Sequence, residues 1–261
     1  MEPVKFKADA ETCVRCGLCV KDCLEGIIEL GEIPAIAPEN RGRCIHCGHC
    51  QAICPTASIS LDGHAAGDLE AMPNPLSEAD VTGLIRGRRS VREYKTEPVD
   101  EKLLERIIDL ASYAPTSTNS RQIGYLIVNG REKVEKLGRL TADIMRKDAF
   151  LTRLLEDAPA GRDRIFRGAP CVLIAHAPEA IPLSAADCAT ALAALELALP
   201  SFGLASCWAG IFTVVCGKET SRELPLPQGD RIYGALMIGR PAIAYKRVPF
   251  RSRPRIDWLN L

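Results

Sequence analysis

The sequence predicts an α+β protein of two parts, a small cysteine-rich domain followed by a larger one whose helices pack around a mixed sheet. Three observations carry this. Eight of the twelve cysteines lie between Cys13 and Cys54. A stretch rich in small residues, with Pro73 and Pro75, follows at 63–80. Beyond it, apolar residues alternate between helical and strand-like spacing.

The bulk composition narrows the field. With 47% hydrophobic and 25% charged residues, the chain has the apolar material for a substantial core. Lys+Arg and Asp+Glu are both 33, so a nucleic-acid partner held by phosphate neutralisation has no support. The N-terminus MEPVKFKADAETCVRC lacks an apolar signal core, and no uninterrupted apolar run approaches the roughly 18 residues of a membrane span. The chain therefore reads as cytoplasmic, without a membrane partner. Thiols are kept reduced there, so a dense cysteine set points to metal ligation over disulfides.

Within the first part, residues 13–30 and 44–61 form an internal repeat with a 31-residue offset. The copies match at all four cysteines, at Gly17 and Gly48, at Ile28 and Ile59, and at Leu30 and Leu61. Each has the spacing Cys-x-x-Cys-x-x-Cys-x-x-x-Cys. Three thiolates this close on one loop hold three corners of a 4Fe-4S cubane, and the fourth reaches across to the other cluster. Cys13, Cys16, Cys19 and Cys54 are assigned to one cluster, and Cys44, Cys47, Cys50 and Cys23 to the second. Zinc is the alternative, since Cys-x-x-Cys pairs also build tetrahedral sites, but those separate their pairs by a longer loop. His46 and His49 lie in the second ligand loop and are expected at the surface. A domain spanning 1–62 has little core of its own and would depend on its metal centres to fold.

On these cysteines and on Cys54-Pro55, the first 62 residues resemble the bacterial-type two-cluster ferredoxins. Leu24 stands where that family usually has proline, which alters a turn and removes no ligand.

The second part, 81–261, is read element by element. VDEKLLERIIDLASYA places Leu103, Leu104, Ile107, Ile108 and Ala111 on one helical face, closed by Pro115. REKVEKLGRLTADIMRKD and SAADCATALAALELAL read as helices, the second apolar on most sides and therefore central. YLIVNG, CVLIAHA, SCWAGIF and IYGALMIG read as buried strands. Cys171, Cys188, Cys207 and Cys216 are scattered and are expected to behave as small core hydrophobes.

IRGRRSVREY sets Arg86, Arg88, Arg89 and Arg92 around Ser90, a grouping suited to a phosphate or carboxylate. Such a run is by itself more often a solvated face. Its company is specific: RRSVREY is followed in order by APTSTNS (114–120), GLASCWAG (203–210) and GRPAIAYKRVPFR (239–251). This series is similar to the FMN-dependent nitroreductase family over residues 80–261. The resemblance implies that Arg88, Arg89, Ser90 and Arg92 hold the FMN phosphate, ribityl chain and pyrimidine edge. It implies that Asn119 contacts the flavin ring, commonly from the partner subunit, and that Ala209 and Gly210 lie beside the reactive N5. Arg251 matches the basic residue that closes on the phosphate, with Arg247 second. The flavin itself carries the chemistry, so no catalytic side chain is assigned. Arg121-Gln122-Ile123, Ala205 and Pro200 depart from the usual pattern and bear on pocket shape.

Together these features predict an iron-sulfur flavoprotein with two 4Fe-4S clusters and FMN. Electrons would pass from the clusters to the flavin and then, two at a time, to a small organic acceptor, with a reduced ferredoxin or similar donor upstream. The reverse route, from NAD(P)H through FMN and the clusters to a protein partner, and a non-enzymatic redox sensor are the alternatives. The family resemblance and the extended tail RVPFRSRPRIDWLNL imply a homodimer.

Overall fold

The computed structural model describes residues 2–156, 162–215 and 223–259, so Cys216 lies outside the described residues. The chain divides into two compact units. One comprises Met1–Pro75 and Thr116–Ser120, and the other Leu76–Pro115 and Arg121–Leu261.

The first unit contains β1 (Phe6–Ala8), α1 (Leu18–Lys21), β2 (Ile28–Leu30), β3 (Pro34–Ile36), α2 (His49–Ala52), β4 (Ile59–Leu61) and β5 (His64–Ala65). Strand β4 pairs antiparallel with β1 and with β5, and β2 pairs with β3. The repeat seen in the sequence returns in the backbone. Gly17 and Gly48 precede α1 and α2 with φ of 72° and 74°, and Arg15 and His46 share φ of 54° and 51°. Gly26 and Ala57 share 60° and 52°. Left-handed backbone at equal intervals turns each ligand loop tightly. The core beneath them is small: Val4, Ile27, Ile28, Ile36, Ile59 and Leu61, with Cys19 packed among them.

Order extends into the stretch expected to be a linker. Residues 64 and 65 extend the small sheet, and α3 (Glu78–Gly87) begins inside the linker's last residues. Its start is set by Ser77, whose Oγ accepts the Asp80 N–H at 3.1 Å while its hydroxyl donates to the Asp80 carboxylate at 2.6 Å.

The second unit continues with α4 (Glu101–Ala111), β6 (Gly124–Asn129), α5 (Arg131–Met145), α6 (Ala149–Glu156), β7 (Cys171–Pro178), α7 (Ser184–Ala198), β8 (Ala205–Trp208), α8 (Gly210–Val215) and β9 (Asp230–Gly239). Its sheet has the order β6-β7-β9-β8, and all of these strands pair antiparallel. Among the described residues, a parallel component enters at the far side of β8, as a bridge between Ser90 and Ser206.

Both sheet faces are covered, which is why β7 reads as a continuous apolar run. Cys171, Leu173 and Ala175 face a cluster with Leu104 and Ile107 of α4 and Leu192 and Leu195 of α7. Val172 and Ile174 face the opposite cluster, with Val134, Leu137, Phe166 and Phe212. The α4 N-terminus is capped by Asp100, which accepts the Leu103 N–H at 2.8 Å. The segment Ser184–Phe202 is long and apolar enough to cross a membrane by length and composition, yet Cys188, Ala191, Leu192 and Leu195 pack into this sheet cluster. It ends in a 3-10 turn, Leu199–Phe202, where Pro200 stops the α-helix.

SCWAGIF departs from a single strand. Chain pairing with β9 ends at Trp208, and Gly210 opens α8. Elsewhere, β7 carries a bulge between Ala175 and His176. There His176 Nδ1 meets Asp230 Oδ2 at 2.6 Å, with both side chains nearly buried. Gly124 lies directly opposite: a Cβ at that position would sit 2.1 Å from the imidazole.

Candidate functional site

Three thiols of the first unit are raised, in each case by burial first and by neighbouring cysteines after it. Burial raises the Cys19 thiol, and proximity to Cys16 and Cys54 raises it further. Burial pushes Cys50 up to about 12, with Cys47, Cys44 and Cys23 adding to the effect. Cys44 is raised by burial, with Cys47 and Cys23 contributing. Cys19, Cys44 and Cys50 are thus each influenced by cysteines that the sequence assigns to the same cluster, including one from the other repeat.

Cys54 differs in sign. Burial would raise it, but N–H groups of Ser58 and Thr56 and their hydroxyls outweigh burial, and its thiol is lowered. The Ser58 N–H lies 3.3 Å from Cys54 Sγ. In the second repeat the His46 N–H points at Cys44 Sγ, 3.4 Å away. N–H donors of this kind stabilise thiolate ligands and tune a cluster.

Cys23, Cys44, Cys47 and Cys50 line a small cavity together with Ile27, Ile28, Ile36 and Leu61. An apolar cavity walled by four cysteines, two of them (Cys44 and Cys50) raised by burial, suits a cationic iron-sulfur core, which supplies the positive charge their ionisation needs. Among the described residues, no group of three or more His, Cys, Asp or Glu side chains is placed to hold a single metal ion. A cubane, by contrast, spreads its ligands over four iron corners. Leu24, at the family's proline position, is 79% exposed and lines the same cavity.

The two histidines of this loop part company. His49 is exposed and lies 3.3 Å from Asp22. His46 is half-buried, contrary to expectation: Nδ1 contacts Asp62 at 2.8 Å and Nε2 contacts the Glu2 carbonyl at 3.1 Å. Asp62 in turn accepts the Lys5 N–H, and that bond, followed by His46, holds its carboxyl below the usual range.

In the second unit, residues 88–92 leave α3 and run beside β8. The Val91 N–H donates to the Ser206 carbonyl at 2.9 Å, fixing Ser90 against that strand. Arg88 Nη1 reaches Ser90 Oγ at 3.4 Å and Glu196 Oε1 at 3.5 Å. Arg89 turns back onto the carbonyls of Gly87 and Arg86. Arg92 Nη1 donates to the Ser90 carbonyl at 3.2 Å. Burial raises the Cys207 thiol, while Arg92 and Arg167 oppose that rise. Arg167 thus joins the arginine group from the loop before β7, and Glu196 joins it from α7.

Ala209 is fully buried, and its N–H is already donated to the Ala235 carbonyl at 2.9 Å. Gly210 is exposed at the start of α8, where an added Cβ would meet nothing within 4 Å. Clustered guanidinium groups of this kind fit a phosphate-bearing cofactor. Arg247 and Arg251 lie exposed in the extended segment after β9. No hydrogen bond or ion pair among the described residues links them to Arg88, Arg89 or Arg92. Asn119, assigned by resemblance to the flavin, belongs to the first compact unit. Its amide nitrogen donates to the carbonyls of Ile45 and His46, at 2.9 and 3.0 Å.

Three of the remaining four cysteines are core residues, as expected, and the fourth, Cys216, lies outside the described residues. Cys171, Cys188 and Cys207 are buried, and burial pushes the first two up to about 12. They are inert as nucleophiles at neutral pH.

Comparison with known proteins adds independent support. A family model described as Nitroreductase family matches residues 85–240, and a 4Fe-4S dicluster domain model matches residues 5–55. A Methanothermobacter thermautotrophicus protein named putative NADH dehydrogenase/NAD(P)H nitroreductase is 28% identical over 169 residues, covering 64% of this chain and 80% of its own. Putative ferredoxin-3 of Sinorhizobium fredii is 34% identical over 83 residues, covering 23% of this chain and 76% of its own. In fold, this chain is similar to a Bacteroides fragilis nitroreductase solved with FMN. The TM-score is 0.58 at 24% identity, over 70% of this chain and 100% of that one.

Proposed function

Because the chain belongs to the nitroreductase family of FMN-dependent oxidoreductases and carries an N-terminal 4Fe-4S dicluster domain, we propose that it passes electrons from two clusters to FMN and then, in pairs, to a small organic acceptor. The acceptor class is a nitro compound, a quinone or an unsaturated substrate. One observation carries this reading: a single chain holds two quartets of thiols and an arginine loop of the flavin-binding type. When bound, the clusters supply electrons singly and FMN collects two of them, which is the chemistry that joins one-electron donors to two-electron acceptors.

The chain's own contribution is placement and charge. Cys13, Cys16, Cys19 and Cys54 would hold one cluster, and Cys44, Cys47, Cys50 and Cys23 the other. Arg88, Ser90 and Arg92 would hold the FMN phosphate and its polar edge, with Arg167 adding positive charge and Glu196 orienting Arg88. Gly210 would leave room for the ring. Arg247 and Arg251 would reach a phosphate only after the tail has closed.

A homodimer belongs to the same reading. Helix α3 buries none of its residues, and Phe250 and Trp258 of the tail are 90% and 86% exposed. Apolar surface of this kind asks for a partner, and a second copy of this chain is the one proposed.

The test is anaerobic rapid mixing. Chemically reduced clusters should bleach the flavin within one turnover, and an added nitro compound or quinone should reoxidise it. A flavin that stays oxidised beside reduced clusters rules the route out. The relative named as an NAD(P)H nitroreductase favours a second reading, in which NAD(P)H supplies the flavin and the clusters pass electrons onward. Rapid bleaching by NADH or NADPH alone would select it.

A further inference from the structure

The carbonyls that Asn119 holds belong to the peptide groups between Cys44 and Cys47. The carbonyl of Ile45 and the N–H of His46 are the two ends of one peptide group. Its oxygen accepts from Asn119 Nδ2 at 2.9 Å, and its N–H points at Cys44 Sγ, 3.4 Å away. A donor on the oxygen of an amide polarises that amide and strengthens the bond its N–H makes. Side chain, peptide and sulfur thus form a relay.

The surrounding geometry supports a built contact. Asn119 and Thr118 both adopt left-handed backbone, at φ of 53° and 48°. This conformation is unusual for a β-branched residue and persists only where surroundings fix it. His46, whose carbonyl also accepts from Asn119, is clamped at both ring nitrogens by Asp62 and Glu2. The first repeat is braced differently: at the matching position Arg15 donates to the Gly31 carbonyl, at 3.0 Å. Otherwise matched ligand loops therefore carry different supports.

We propose that Asn119 is a positioning residue for the cluster held by Cys23, Cys44, Cys47 and Cys50, and raises that cluster's reduction potential through the Ile45–His46 peptide. An N–H donor on a ligating sulfur favours the reduced, more negative cluster. Removing Asn119 weakens that donor, so the potential falls. The proposal rests on the cluster assignment of the preceding subsection and not on the direction of electron flow.

The experiment is an EPR-monitored redox titration of the full-length holoprotein and of Asn119→Ala, Asn119→Asp and Asn119→Gln. Cys44→Ser, which shifts or abolishes one signal, identifies the cluster concerned. In Asn119→Ala that signal should titrate at a more negative potential, with the second signal unchanged. Asn119→Asp, which faces two carbonyls with a carboxylate, should shift it further. Asn119→Gln, which keeps the amide, should lie nearest the wild type. If Asn119→Ala does not fold, the order of the Asp and Gln variants carries the test. Unchanged potentials overturn the proposal. So does loss of FMN with both cluster signals intact, which would make Asn119 a flavin ligand. The titration uses mediators, so it reads correctly even if the clusters never reduce the flavin. Absence of both signals in the iron-loaded wild type would instead overturn the cluster assignment.

Discussion

Glu196 receives the indole N–H of Trp208 at 2.7 Å, joining α7 to the end of β8 beneath the arginine loop. Its other oxygen is buried without a hydrogen bond and faces Arg88 at 3.5 Å. One nearly buried carboxylate thus fastens a core aromatic residue and a candidate phosphate ligand. Glu196→Ala should cost about 1–3 kcal/mol in chemical denaturation, because it leaves the indole donor unsatisfied. Glu196→Gln keeps an acceptor for Trp208 and should cost less than about 1 kcal/mol, since Arg88 is partly solvated. Equal losses in the two variants would show that the indole bond contributes little.

The arginine loop should discriminate by phosphate. Arg92→Ala is expected to weaken FMN binding by about ten- to a hundredfold, the loss of a charge-assisted hydrogen bond. Riboflavin, which has no phosphate, should bind wild type and variant alike. Fluorescence titration of deflavinated protein with each ligand makes the comparison. A matching loss for riboflavin would move Arg92 from the phosphate to the ring.

Alkaline pH should weaken the second unit's core. Cys171 and Cys188 rise from 9.0 to about 12 through burial, with Asp187 and Asp230 adding to the effect at Cys188. The unfolded chain releases these protons near pH 9, whereas the folded chain holds them. The unfolded state therefore binds fewer protons between pH 9 and 12, and stability falls as pH rises through that window. Below pH 9 the contribution is fully present. Denaturation midpoints measured from pH 8 to 12 should show the decline, and Cys188→Ala should make it shallower. Iodoacetamide at pH 8 should modify neither thiol until the unit is unfolded.

What could be read from the sequence was whatever is encoded at short range. The eight clustered cysteines stand out by spacings of two and three residues, and their 31-residue repeat interval recurs in paired left-handed backbone at Arg15 and His46. Strands β6, β7 and β9 and helices α4, α5 and α7 were legible because apolar period and burial coincide there. Less legible were features made by distant partners. Arg167 and Glu196 come to the arginine loop from separate elements, and no local pattern marks them. Asn119 sits in a motif that points to a flavin, while its hydrogen-bond partners lie 73 and 74 residues earlier. The start of α3 did carry a local sign, Ser77 three residues before Asp80, which the surrounding prolines and small residues obscured. SCWAGIF is uniformly apolar across a strand end and a helix start, so hydrophobicity alone could not divide it.

The close approach of Gly124 to His176 makes the two positions interdependent over evolutionary time. Any side chain at 124 would have to occupy the volume of the imidazole, which could yield only by abandoning Asp230. Descendants of this chain should therefore either keep the glycine with the histidine or exchange both, and an alanine at 124 should be met only where 176 has become small. A paired library at these two positions, sorted for folded protein, would reveal that constraint as a forbidden quadrant.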